Sequence, residues 1–111
     1  MRRTWAALVL IAACRQGAPA IMSGVIDVQV TKEGFEPSHI RVAPNTPVTL
    51  RITRKVKETC ADAVDVQGDP VRHMLPLDAP VEIRVTPPAS GQLAFACPMK
   101  MISGAIVVVG Q

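Results

Sequence analysis

Three stretches of this chain alternate apolar and polar residues with a period of two, and no helical stripe of any length follows its first thirteen residues. Ile26, Val28 and Val30 are spaced by Asp27 and Gln29; Val48, Leu50 and Ile52 by Thr49 and Arg51; Val81, Ile83 and Val85 by Glu82 and Arg84. Side chains along a strand point alternately to opposite faces, so this pattern specifies strands with one buried face. Shorter runs at Ile40–Val42, Ala63–Val66 and Leu93–Ala96 join them. A last run, Ala105–Val109, is apolar throughout and is expected to be covered on both faces. All ten prolines fall between these runs or near the N-terminus, where a missing amide hydrogen breaks no ladder. The expectation is one all-β domain, a β-sandwich of about seven short strands.

The first residues read differently. Arg2 and Arg3 precede nine uncharged residues, Trp5 to Ala13. A membrane-spanning helix needs about 20 apolar residues, so the pattern is that of a signal peptide. Its end, Ile11-Ala12-Ala13-Cys14, resembles the lipobox of bacterial lipoproteins, which implies cleavage before Cys14 and lipidation of its thiol. An ordinary secretory signal, cut near Ala18-Pro19-Ala20, is the alternative. Translation from Met22 would remove both signal and lipid. The expected organisation is therefore a signal peptide over residues 1–13, a tether over 14–24 containing Gly17, Pro19 and Gly24, and a domain over 25–111. An anchored chain would face the periplasm or the outer side of a membrane in a bacterial envelope.

Cleavage also changes the charge. Removing residues 1–13 from the 111 leaves 98, and the loss of two arginines lowers the net charge from +3 to +1. The basic balance of the whole chain is thus partly a property of the signal. Only Phe35 and Phe95 remain as aromatics, too few for a base-stacking surface, so no nucleic-acid partner is expected. The one basic cluster, Arg51, Arg54, Lys55 and Lys57, reads as a solvated strand face and loop, with a docking patch for an acidic partner as the alternative.

The residues with distinctive chemistry are sulfurs. Cys97, Met99 and Met101 place one thiol and two thioethers within five residues, and soft ligands of this kind select soft ions such as Cu(I). Leu93, Phe95 and Cys97 share one strand face, and Pro98 should end the pairing there. The other reading is packing, since methionine and cysteine often only fill cores. With Cys14 lipidated, Cys60 and Cys97 are left as a pair, to be either a disulfide or a metal site in an oxidising compartment.

Gly34-Phe35-x-Pro37-x-x-Ile40-x-Val42, Pro47-Val48, Cys60, Leu75-Pro76-Leu77, Gly91 and Phe95-x-Cys97-x-Met99-x-Met101-x-x-Gly104, in that order, resemble the small bacterial cupredoxin-like domains of the plastocyanin superfamily. The resemblance covers roughly Val25 to Val109. It implies a Greek-key β-sandwich with copper held at one end. Carried over by position, Cys60 stands where electron-transfer members have their first histidine, Cys97 matches the cysteine of the second ligand loop, and Met99 or Met101 takes the remaining place. The chain departs from that pattern in having no histidine in either ligand region. His39 is expected at an exposed strand start away from the metal end. His73 and Met74 are less securely placed as contributors.

Blue-copper electron transfer uses two imidazoles, a thiolate and a weak axial ligand, which these loops do not offer. Two thiolates and a thioether suit Cu(I), and Ag(I) is similarly soft. No nucleophile–base pair, paired carboxylates or phosphate loop marks an enzyme. The reading is a non-enzymatic envelope Cu(I)-binding protein for storage, delivery or resistance, with Cys60, Cys97, Met99 and Met101 as ligands. Copper donor or acceptor proteins of the envelope are its expected partners. A disulfide-closed interaction domain and, less favoured, a cupredoxin electron carrier are the alternatives.

Overall fold

The computed structural model describes residues 21–109; the signal segment, Cys14 and the tether up to residue 20 lie outside them. Nine strands follow one another: β1 (Val25–Thr31), β2 (Gly34–Glu36), β3 (His39–Val42), β4 (Val48–Arg54), β5 (Ala63–Val66), β6 (His73–Met74), β7 (Val81–Val85), β8 (Gln92–Ala96) and β9 (Ser103–Val108). Each of the seven runs expected from the sequence is a strand. The two additions, β2 and β6, are three and two residues long, too short to show a period.

The strands form two sheets, ordered β2-β1-β4-β7 and β3-β9-β8-β5-β6. In the first, β1 runs parallel to β4, and the β1–β2 and β4–β7 pairs are antiparallel. In the second, β3 runs parallel to β9, and the remaining pairs are antiparallel. The chain changes sheet after β2, β3, β4, β6 and β7, the crossed connectivity of a Greek-key sandwich.

The alternating apolar positions turn inward as the period requires. Ile26, Val28, Val30, Leu50, Ile52 and Ile83 from the first sheet meet Ile40, Val42, Val64, Phe95 and Ile106 from the second in one core. Burying each such side chain contributes about 1.5–3 kcal/mol. In β9, Gly104, Ala105 and Ile106 are consecutive buried residues, whereas Val107–Val109 are half-buried, so only the start of the apolar run is covered on both faces.

The two phenylalanines pack edge to face across the sandwich, ring centroids 5.0 Å apart. Phe95 is paired with Gly104 on the neighbouring strand, and its ring occupies the place where a side chain at 104 would go. A Cβ there would also stand 2.6 Å from the Ser38 carbonyl oxygen. Glycine at 104 is therefore a packing requirement.

The N-terminal edge begins slightly ahead of β1. The Met22 amide donates to the Arg41 carbonyl at 2.7 Å, and the Gly24 carbonyl accepts from Thr49 at 2.9 Å. Residues 22–24, the end of the tether in the sequence reading, thus already lie along the sandwich. The basic cluster is largely engaged within the chain. Arg51 makes a two-pronged pair with Asp27 at 2.7 and 3.2 Å, and Lys55 lies 3.5 Å from Asp78. Arg54 turns to backbone carbonyls.

Candidate metal centre

β8 and β9 form a hairpin in which Ala96 pairs with Ser103. One more rung follows, the Cys97 amide donating to the Ile102 carbonyl at 3.1 Å. Pairing stops at Pro98, which has no amide hydrogen to continue it. The chain then doubles back over Pro98, Met99, Lys100 and Met101. Lys100 donates to the Cys97 carbonyl at 2.8 Å and takes a left-handed conformation, φ 60°, which reverses the chain within four residues. The reversal carries the Met101 amide to 3.3 Å from Cys97 Sγ, to which it donates.

Cys97 is fully buried, on the face it shares with Phe95. Cys60 is half-buried, on the crossing from β4 to β5, and both cysteines are free thiols. The two thiols are neighbours, close enough for each to shift the other's titration. Burial raises the pKa of Cys60, and the neighbouring Cys97 sulfur adds to the rise. At Cys97 burial acts in the same upward direction, but hydrogen bonds from Cys60 and from the amides of Ile102, Met101 and Met99 outweigh it, and the pKa is lowered. Of the two, Cys97 is thus the easier to deprotonate, and the hairpin backbone contributes to that.

Met99 and Met101 are 72% and 71% exposed, so neither is a core filler. They stand on the loop whose backbone curls over the buried Cys97 sulfur. Of the sequence-named residues, Cys60, Cys97 and the backbone of Met99 and Met101 converge here. Met74 does not join them through the core: it pairs with Ala63 and is 62% exposed. His73 hydrogen-bonds Asp69 through Nε2 at 2.8 Å. His39 is exposed and lies 3.1 Å from the Ser38 hydroxyl. The parallel β3–β9 register sets it level with Ala105. That is the end of the sheet where the sulfur loop lies, not the far end expected from sequence. Among the described residues, no three His, Cys, Asp or Glu side chains cluster to hold a metal, so neither imidazole groups with the two thiols. The backbone donor to Cys97 Sγ, the Met101 amide, was invisible in the sequence, because any residue type supplies an amide.

The donor set fits a soft monovalent cation: two neighbouring free thiols, next to a loop that carries two exposed methionines. The model of the family described as "Cupredoxin-like domain" matches residues 4–108. The chain belongs to the cupredoxin-like family. This cupredoxin-like chain is also similar to solved structures. One is the metal-binding domain of the Cu(I)-exporting P-type ATPase CopA of Streptococcus pneumoniae, determined with Cu(I). It is 27% identical with a TM-score of 0.71, over 81% of this chain and 91% of that one. A second is a copper binding protein solved in its apo form, 28% identical with a TM-score of 0.68, over 77% and 86% of the two chains. Auracyanin of Roseiflexus castenholzii, at 16% identity and a TM-score of 0.55 over 78% and 98%, shares the fold. No curated protein matches the sequence.

Proposed function

We propose that this cupredoxin-like protein holds and passes Cu(I) through a sulfur-only centre made of Cys60, Cys97, Met99 and Met101. The observation that carries the reading is a pair of neighbouring free thiols, Cys97 buried and accepting from the Met101 amide, beside a loop bearing two exposed methionines. The similar structures described as a Cu(I)-exporting ATPase's metal-binding domain and a copper binding protein support it. Thiolate and thioether sulfur would stabilise the filled d shell of Cu(I), whereas Cu(II) would oxidise the thiolates. The centre therefore suits storage, delivery or resistance, without catalysis. In the same proposal the chain is a lipoprotein anchored through Cys14 in a bacterial envelope, where copper donors or acceptors exchange the ion with it.

The disulfide-closed alternative uses the same two cysteines. The accessible methionines beside them favour the metal reading, since a structural disulfide has no use for thioethers. The electron-carrier alternative needs imidazole ligands, and His73 is engaged with Asp69 instead. The test is copper content after anaerobic loading and desalting, with ultraviolet spectra. The reduced protein should retain Cu(I) with thiolate charge-transfer absorption confined to the ultraviolet. The Cys60→Ser, Cys97→Ser double variant should retain none.

A further inference from the structure

We propose that Arg54 is the positioning residue for Cys60, a role that rests on the sulfur centre described above. β4 ends at Arg54, and residues 55–62 then cross to the second sheet carrying Cys60. Arg54 Nε donates to the Leu75 carbonyl at 2.7 Å. Its Nη1 donates to the carbonyls of Val56 at 3.3 Å and Lys57 at 3.2 Å. The far end of the crossing reaches the same residue from the other side, because the Leu75 amide donates to the Asp62 carbonyl at 2.8 Å. Leu75 is itself fixed, its side chain 1% exposed in the core.

Both ends of the Cys60 segment are therefore tied to one buried residue, and the guanidinium is the tie at the upstream end. The base of that tie is also rigid. The Arg54 carbonyl accepts from Asp78 at 2.8 Å, and the next amide, Lys55, donates to Val30 at 2.9 Å. Between the ties, the Thr59 hydroxyl accepts from the Ala61 amide at 3.0 Å, one residue past Cys60. A guanidinium can serve three carbonyls at once because its donors form a planar fork that stays charged. An ammonium has its donors on a single nitrogen and cannot span them. Arg54 touches neither sulfur among these bonds; it acts through the loop that presents Cys60 to Cys97.

The experiment compares full-chain wild type, Arg54→Lys, Arg54→Met and, as a remote core control on β3, Ile40→Val. Alkylation rates of Cys60 and Cys97 in the reduced, metal-free protein are followed by mass spectrometry. Retention of Cu(I) against a chelator and thermal melting are then measured on the same samples. Both Arg54 variants should alkylate several-fold faster at Cys60 with Cys97 little changed, and lose about 10–100-fold in Cu(I) affinity, the usual cost of removing a support behind a metal ligand. Ile40→Val should lower the melting temperature without moving the alkylation ratio. Equal acceleration at both thiols, an unchanged ratio, or wild-type behaviour of Arg54→Lys would each overturn the proposal. If wild type holds no Cu(I), the copper reading fails, and the alkylation ratio still decides the role of Arg54.

Discussion

The amide of Met101 donates to Cys97 Sγ across 3.3 Å, four residues along the chain from the sulfur it serves. In an extended strand those residues would start about 13 Å apart, at the usual rise of about 3.3 Å per residue. The left-handed turn at Lys100 removes that separation, so the hairpin brings the Met101 backbone to the Cys97 sulfur.

Met99→Leu and Met101→Leu should each weaken Cu(I) binding, and the double variant more than either. In an extended strand Met99 would lie nearer Cys97 than Met101 does; the curled loop puts Met101 on an equal footing. Both side chains are exposed, and leucine roughly conserves volume, so stability should change by no more than about 0.5 kcal/mol. Chelator competition and melting on the three variants check this. Unchanged affinity in the double variant would reduce the site to a bare dithiolate.

Gly104→Ala should destabilise the domain by roughly 1–3 kcal/mol, the usual cost of overpacking. The added methyl meets the Phe95 ring and the Ser38 carbonyl. Denaturant unfolding measures the loss. Adding Phe95→Leu should recover part of it if the ring is the obstacle. Additive losses in the double variant would contradict that.

The fold was legible where strands were long enough to show a period. Val25–Thr31, Val48–Arg54 and Val81–Val85 announce themselves, whereas the two residues of His73–Met74 cannot. Cys97 and Pro98 marked where the strand must end, but no propensity tells that Lys100 goes left-handed and folds the methionines back. Charge in a sequence does not say whether a side chain faces water or a carbonyl, so Arg54 read as part of a solvated face although it grips the Cys60 loop. His39 was misplaced for a topological reason: a parallel β3–β9 pair brings two strand starts to one end of the sheet.

Acid should weaken the sandwich through three carboxylates. Asp27 is held below the usual carboxylate range by Arg51, Asp65 by Arg72, and Asp69 by its hydrogen bond to His73. A depressed folded pKa gives stability that is present above the unfolded value of about 3.9 and is lost as pH falls through the folded one. The melting temperature should fall on acidification below that value. An Asp65→Asn, Asp69→Asn double variant should melt lower at neutral pH and lose less on acidification. The Asp27–Arg51 pair is exposed and the other two are partly exposed, so the effect is small and shrinks in salt. A double variant with the same acid profile as wild type would contradict the assignment.

Cys14→Ser should leave an unprocessed precursor that takes up no labelled fatty acid when expressed in a bacterial host. Wild type should be processed and labelled. An unlabelled wild type would sink the lipid-anchor proposal without touching the copper centre.

The central claim is that the neighbouring free thiols of Cys60 and Cys97 hold Cu(I). Its most direct test is anaerobic competition for Cu(I) between the reduced protein and a chromogenic chelator, run on wild type, Cys60→Ser and Cys97→Ser. Wild type should strip the ion from the chelator and stay colourless, and each serine variant, its fold verified by melting, should fail to compete. Equal competition by wild type and either serine variant, or an intense visible thiolate-to-Cu(II) band in the loaded protein, would contradict the account.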